Sequence, residues 1–282
     1  MQVAGKVKLP QGKKVAVNIG VDFDAHSVWM GAFGLFTPAY MARGEFGAEV
    51  GVPRLLKLFD KYGIKATFFI PGHTVDTFPH AAKAVVEHGH EVGHHGYAHE
   101  NVSKLSAEEE EKVMVMGLES LDRIGVKPRG YRSPAWDYSP NTLDLIEKYG
   151  FKYDSSLMAN DLHPYRPRRV EPRTDGPSVY GEPSHIVEFP VTWYLDDFPT
   201  QELILGSGGG LTDHEVFFRR CRDIFDYAVA NEEGACYCLT VHPQTIGRAH
   251  MITGLERLIK HFLENGAWIT TLGEMYDNYY ED

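Results

Sequence analysis

The chain of 282 residues has only three cysteines, Cys221, Cys236 and Cys238, and an odd number this small excludes a disulfide framework. Cys236 and Cys238 stand two apart, so on one strand they share a face at about 6.5–7 Å, a poor spacing for a bridge. They read as reduced core thiols, and no second cysteine pair is present to complete a Cys-x-Cys metal half-site. Long apolar runs are also missing: none approaches the ~18 residues that suggest a membrane span. The first eight residues lack the apolar core of a signal peptide, so a cytoplasmic location is expected. Basic charge is in short supply. Lys and Arg number 28 against 39 Asp and Glu, and the formal charge of −11 has the wrong sign for nucleic acid or an anionic membrane. The densest basic run, Arg166-Pro167-Arg168-Arg169, lies in a Pro-rich stretch and reads as a loop edge. No Gly-rich phosphate loop follows the first apolar run, which counts against a dinucleotide fold.

What is present has a repeating punctuation. Six times a helical pattern ends in glycine and a β-rich run follows, at Gly63, Gly89, Gly125, Gly150, Gly234 and Gly266. Glycine just past a helix takes the left-handed conformation without a Cβ clash, and helix–Gly–strand repeats signal parallel βα units. Ser106-Ala107-Glu108-Glu109 has the form of a capping box, and Ser139-Pro140 reads as another helix start. Strands are expected at 14–22, 66–70, 90–95, 129–133, 151–155, 186–192, 236–241 and 267–271. The fold expected is α/β: a single-domain, distorted (β/α) barrel of seven to eight strands spanning 1–282. Two stretches interrupt the repeat. Residues 25–47 are rich in aromatics and glycine, and residues 158–185 are polar and Pro-rich; such insertions serve as lids, interfaces or plain surface.

Active sites of parallel βα barrels form where the strands end. Asp22 and Asp24 close the first strand, His94, His95 and His99 follow the third, Arg132 ends the fourth, Asp154 the fifth and His242 the seventh. Any one of these could be a helix cap, a surface ion pair or a buried core histidine; their gathering at one end carries the functional reading. Asp22 and Asp24 share a face, so one carboxylate can hold a metal while the other stays free as a base. Seven histidines fall within residues 73–99. His95 and His99 are spaced i,i+4, as on one side of a helical turn, although His94 or His90 could substitute as ligands. One Asp and two His leave coordination positions open, as a catalytic metal site requires. His73, His80 and His88 read as caps or surface residues. Arg132 would keep Asp22 ionised, His242 would be the general acid, and Trp136, Trp193 and Tyr194 could floor a pocket.

The ordered set resembles the polysaccharide deacetylase superfamily, also called family-four carbohydrate esterases. Val21-Asp22-Phe23-Asp24 resembles its first motif, with the spacing altered to Asp-x-Asp. Gly93-His94-His95-Gly96-Tyr97-Ala98-His99 resembles its His-x-x-x-His motif, and Arg132-Ser133-Pro134-Ala135-Trp136 its Arg-x-x-x-aromatic motif. Tyr153-Asp154-Ser155-Ser156 and Leu239-Thr240-Val241-His242 are similar to the last two. Arg43-Gly44-Glu45-Phe46-Gly47, Ser156-Leu157-Met158-Ala159-Asn160-Asp161 and Trp193-Tyr194-Leu195-Asp196-Asp197 bring it near one subgroup. That subgroup contains Helicobacter-type peptidoglycan deacetylase, cyclic imide hydrolases and metal-independent allantoinases.

The resemblance implies a hydrolase of carbon–nitrogen bonds in which Asp24, His95 and His99 hold a divalent metal, zinc before cobalt, nickel or manganese. It makes Asp22 the base, Arg132 its orienter and His242 the acid, with Trp136, Asp154, Trp193 and Tyr194 toward the substrate and a backbone N–H near Trp136 toward the oxyanion. It also implies a homo-oligomer, often a tetramer. Two substrates compete: an N-acetylated glycan of the peptidoglycan type, and a small cyclic imide or ureide that would suit a cytoplasmic enzyme. An open groove favours the first, a pocket closed by residues 25–47 and neighbouring subunits the second. A binding module without catalysis is disfavoured because every acid, base and ligand position is filled.

Overall fold

The computed structural model describes residues 2–206 and 209–281. Eight parallel strands carry it: β1 (Val15–Asp22), β2 (Thr67–Ile70), β3 (Glu91–His94), β4 (Gly130–Tyr131), β5 (Tyr153–Asp154), β6 (Val187–Glu188), β7 (Cys236–Val241) and β8 (Ala267–Ile269). Seven of them form one curled sheet in the order β7-β1-β2-β3-β4-β5-β6. A parallel bridge between Asp196, beyond β6, and Thr240 of β7 brings the two edges together. β8 does not complete a regular eight-strand cycle. It pairs with the start of β1, on the same edge that receives β2 further along. The single-domain, distorted barrel expected from the helix–Gly–strand repeat is the fold observed, and all six punctuating glycines have positive φ.

Period-two alternation in β1 decides what faces where. Val15, Val17, Ile19 and Val21 point outward into the main apolar core under the helices. Ala16 belongs to the smaller cluster inside the barrel, and Asn18, Gly20 and Asp22 share its parity. In β7, Cys236 and Cys238 line the interior beside Ala16, and Thr240 stands in register with Gly20. All three cysteines are buried and unpaired. Gly20 matters for space: a Cβ there would lie 2.9 Å from Arg132 Nη1, so only glycine admits that guanidinium into the barrel.

Most crossovers carry helices. Ala107–Asp122, between β3 and β4, opens with the expected capping box, Ser106 and Glu109 each bonding the other's backbone N–H. The next helix begins at Thr142 rather than at Pro140, because Ser139 Oγ accepts from Asn141 N–H and donates to Glu110. Residues 25–47 are helical: a π-turn at Val28–Ala32, then the helix Pro38–Phe46, which runs on through a second π-turn into Val52–Tyr62. Gly31 presses against the loop after β3, where a Cβ would meet the Ala98 carbonyl oxygen at 2.0 Å. Residues 158–185 include an exposed hairpin, Arg168–Glu171 against Val179–Pro183, anchored through Arg169 to Asp144 and Glu147. The β5–β6 crossover therefore has no covering helix.

His90, just before β3, illustrates the cost of burying a titratable ring. Its Nδ1 accepts the Ala66 N–H at 3.2 Å, and the ring packs on Phe59 and Phe68. Burial pulls its pKa from 6.5 down to about 4. The folded form prefers the neutral ring, so this contribution is complete above about pH 6.5 and is lost as pH falls toward 4. His90→Asn keeps an acceptor for Ala66 without titrating there. In urea unfolding between pH 8 and pH 4, its stability should fall less steeply with acid than that of the parent chain.

Candidate active site

The expected residues converge at the carboxyl end of the curled sheet. Arg132 holds its centre. The residue is fully buried and its Nη1 donates to Asp22 Oδ1 at 2.6 Å. Nε and Nη2 donate at 2.8 Å to the carbonyl and Oγ of Ser155, and Nη1 also reaches Thr240 Oγ1 at 3.3 Å. Removing one partner of such a buried pair leaves a bare charge, typically at about 3–5 kcal/mol. Burial alone would raise the Asp22 carboxyl, but Arg132, then His95 and His242, outweigh it and hold Asp22 below the usual carboxylate range.

Asp24, His95 and His99 form a second group whose ligand atoms all lie within 4.8 Å of one another. Asp24 Oδ1 is 3.5 Å from His95 Nε2, and Asp24 Oδ2 is 4.0 Å from His99 Nε2. Both carboxylate oxygens and His95 Nε2 are buried without a hydrogen-bond partner, which is the condition of atoms waiting for a cation. Burial pulls His95 to about 4 and His99 to about 3, so both rings are neutral, as metal ligands must be. Burial also pushes the Asp24 carboxyl well up, and a divalent neighbour is what keeps such a group ionised. These residues fit a divalent metal, and His95 Nδ1 is already oriented by the Arg132 carbonyl at 2.7 Å.

The i,i+4 spacing of His95 and His99 does not arise from a helical turn. Gly96 and His99 both have positive φ, and the loop folds around Glu100, whose carboxylate accepts the N–H groups of Tyr97 and Ala98. His94 is excluded as a ligand: its Nε2 bonds the Met114 carbonyl at 2.9 Å and its Nδ1 accepts the Gly96 N–H. His90 lies away among Phe59 and Phe68.

His242 stands on the other side of Asp24, with Nε2 at 3.7 Å from Asp24 Oδ2. Its Nδ1 is 2.8 Å from Asp197 Oδ1 and 3.5 Å from Asp196 Oδ1, and Asp197 also accepts the His242 N–H. Burial works against the imidazolium, yet Asp196 and Asp197 outweigh it and hold His242 well above the ordinary histidine range. Sequence reasoning gave Asp196 and Asp197 no role. They follow the sixth strand, and the strand-end rule applied there would have found them.

A cavity of about 120 Å³ lies over these groups, lined by Asp22, His99, Asp196 and His242 and walled by Trp136, Trp193, Phe33 and Phe198. Trp136 and Trp193 pack at 4.4 Å, and Phe33 stacks on Phe198. Val28, Ala32 and Phe33, from the 25–47 segment, close one side. Larger surface depressions, of about 570 and 510 Å³, contain none of these residues. Two residues expected to face the substrate do not line the cavity. Tyr194 is 67 % exposed, and Asp154 is fully buried, taking the hydroxyls of Ser156 and Tyr138. The Trp136 N–H, whose neighbourhood was expected to serve the oxyanion, itself donates to the Ser133 carbonyl. Four of the five non-glycine residues with positive φ among those described, Ala25, His99, Ala135 and Trp136, surround this site, where backbone strain commonly collects.

Residues 45–153 match the sequence model of the polysaccharide deacetylases. Over 285 aligned residues the chain is 38% identical to a peptidoglycan deacetylase of Helicobacter pylori, covering 95% of this chain and 97% of that one. The chain belongs to the polysaccharide deacetylase family. The peptidoglycan deacetylase-like protein FGM2 of Gibberella zeae is 32% identical, over 92% of this chain and 84% of its own. A Mycobacterium smegmatis crystal structure assigned as a polysaccharide deacetylase superposes with a TM-score of 0.85 at 31% identity, covering 98% and 93% of the two chains. A solved allantoinase shares the fold at a TM-score of 0.77 and 22% identity, over 96% and 91%. By family, the chain is thus a hydrolase of amide C–N bonds.

Metal titration separates the two adjacent histidines. Purified metal-free protein should bind one divalent ion, and His95→Ala should abolish that stoichiometric binding. His94→Gln, which keeps a polar group toward Met114, should retain it. Calorimetric titration with zinc, beside circular dichroism to confirm folding, reads both outcomes.

Proposed function

We propose that this chain is a metal-dependent hydrolase of a non-peptide amide C–N bond, with Asp22 as general base and His242 as general acid. One observation supports this most: Asp22 with Arg132, and His242 with Asp197, flank the Asp24–His95–His99 cluster, and Asp22, His99 and His242 line one cavity. A divalent ion on that cluster, zinc by its donor set, would supply Lewis acidity toward the carbonyl and toward water. Asp22 accepts the proton of the attacking water, and Arg132 keeps it ionised and aimed. His242 enters the reaction protonated, held so by its two carboxylates, and releases its proton from Nε2 to the departing nitrogen. Two titratable groups whose surroundings push them apart are the usual mark of a base and an acid at one site. Trp136, Trp193, Phe33 and Phe198 give the cavity an apolar wall beside the reacting atoms.

The family points to an N-acetylated glycan, of which only the acetamido group need enter the cavity. One observation favours a second substrate, a small cyclic imide or ureide: Val28, Ala32 and Phe33, from the 25–47 segment, wall one side of a cavity of only about 120 Å³. Subgroup resemblance and the exposed side chains of Phe36, Tyr194 and Leu205 support a homo-oligomer, which light scattering would read.

Zinc-loaded protein should hydrolyse at least one of two substrates assayed side by side, an N-acetylglucosamine oligomer for acetate release and succinimide for ring opening. Hydrolysis of neither would end the amide-hydrolase reading. Asp22→Asn should lower kcat by about 10²–10⁴-fold, the usual contribution of a general base, with zinc still bound. Full turnover in that variant would remove Asp22 from the role.

A further inference from the structure

Asp154 and Glu188 are register partners on β5 and β6, and both are fully buried. Asp154 Oδ1 accepts the Ser156 hydroxyl at 2.7 Å, and Oδ2 accepts the Tyr138 hydroxyl. Glu188 Oε1 accepts the N–H groups of Ser156 and Leu157, each at 2.8 Å. Glu188 Oε2 has no hydrogen-bond donor among the described residues, and its carboxyl lies within hydrogen-bond reach of Asp154. Among the described residues no Lys, Arg or His forms an ion pair with either carboxyl. Two facing buried carboxyls cannot both stay ionised, because burial and like charge each disfavour the second anion.

We infer that Asp154 and Glu188 hold one proton between them, carried on Glu188 Oε2 and donated to Asp154, and that Glu188 is thereby a positioning residue for Arg132. With that hydrogen in place, every oxygen of the pair has a partner. The single negative charge rests on Asp154, which then takes three donors: Ser156 Oγ, Tyr138 Oη and Glu188 Oε2. Burial and the Asp154 charge both push Glu188 well up, in agreement with a neutral acid.

The pair fixes the turn that leaves β5, and that turn fixes the base. Ser156, bonded by both carboxyls, accepts the Ser133 N–H at 2.8 Å and so ties down the loop that carries Ala135 and Trp136 over the cavity. Its neighbour Ser155 supplies two of the acceptors that aim the Arg132 guanidinium at Asp22. Glu188 touches neither the cavity nor the cation cluster. Its effect on turnover passes through Ser155, Ser156 and Arg132, and this part of the inference rests on Asp22 being the base.

Glu188→Gln tests it directly, since an amide can accept from Ser156 and Leu157 while donating permanently to Asp154. The infrared difference spectrum of parent minus Glu188→Gln at neutral pH should show the loss of one buried carboxylic-acid C=O band. Loss of a carboxylate band instead overturns the inference. In hydrolysis assays Glu188→Gln should keep kcat within about threefold of the parent. Glu188→Ala should lose about tenfold to a hundredfold in kcat with little change in KM, as a misaimed catalytic group does. If Gln falls as far as Ala, the positioning role is wrong. If Ala does not fold, the Gln variant's spectrum and rate still decide. A parent chain inactive on every amide would end the functional reading alone, because the infrared band does not depend on turnover.

Discussion

The buried ion pair between Arg132 and Asp22 is the constraint from which the rest of the site follows. A guanidinium inside a barrel has lost its hydration and needs acceptors for most of its N–H groups. The fold supplies them from several strands at once: Asp22 from β1, the Ser155 carbonyl and hydroxyl from beyond β5, and Thr240 from β7. Gly20 leaves the room, and the backbone carbonyl of Arg132 itself orients His95. One residue therefore sets the position of the base through its side chain and of one metal-type ligand through its backbone carbonyl, and it ties together the exits of neighbouring strands. Such a pair need not add net stability against an apolar core of the same volume. What it gives is a single arrangement of the strand ends.

The two sides of the site show how position in one barrel yields opposite protonation. Asp22 is held down by a permanent cation that cannot release its charge. His242 is held up by two acidic neighbours that outweigh the cost of its burial. Between them Asp24 is pushed the other way, toward neutrality, by the same burial that affects all three. The difference lies in which partner each group meets, and the partners come from different strands. Local sequence around Asp22 and Asp24, only two residues apart, does not separate their fates; Arg132 does, from 110 positions away.

Much of this was legible in the chain because it depends on local rules. Glycine after each helix marked the strand starts. The rule that barrel sites gather at strand ends selected Asp22, Asp24, His95, His99, Arg132 and His242. What was not legible depends on loop geometry and on strand pairing. His95 and His99 meet through a positive-φ loop around Glu100, a conformation that i,i+4 spacing does not encode. Asp154 looks like every other strand-end acid until its register partner, Glu188, is known. Asp196 and Asp197 escaped because a short helical turn, Trp193–Leu195, sets them off from the strand expected at 186–192. The helical character of residues 28–46 was hidden by their aromatic and glycine content.

The contact of Gly31 with the Ala98 carbonyl separates two tasks that usually interfere with each other. The 25–47 segment rests on the loop of His99 through bare backbone, while Phe33, two residues on, reaches over the cavity. Its foothold is fixed by main chain and its reach by side chains. Variation at Val28, Ala32 or Phe33 can thus remodel the ceiling without moving the ligands and proton carriers beneath it. A lineage could exchange one amide for another by editing a few side chains above an unchanged hearth, and relatives with different substrates would then share the same floor.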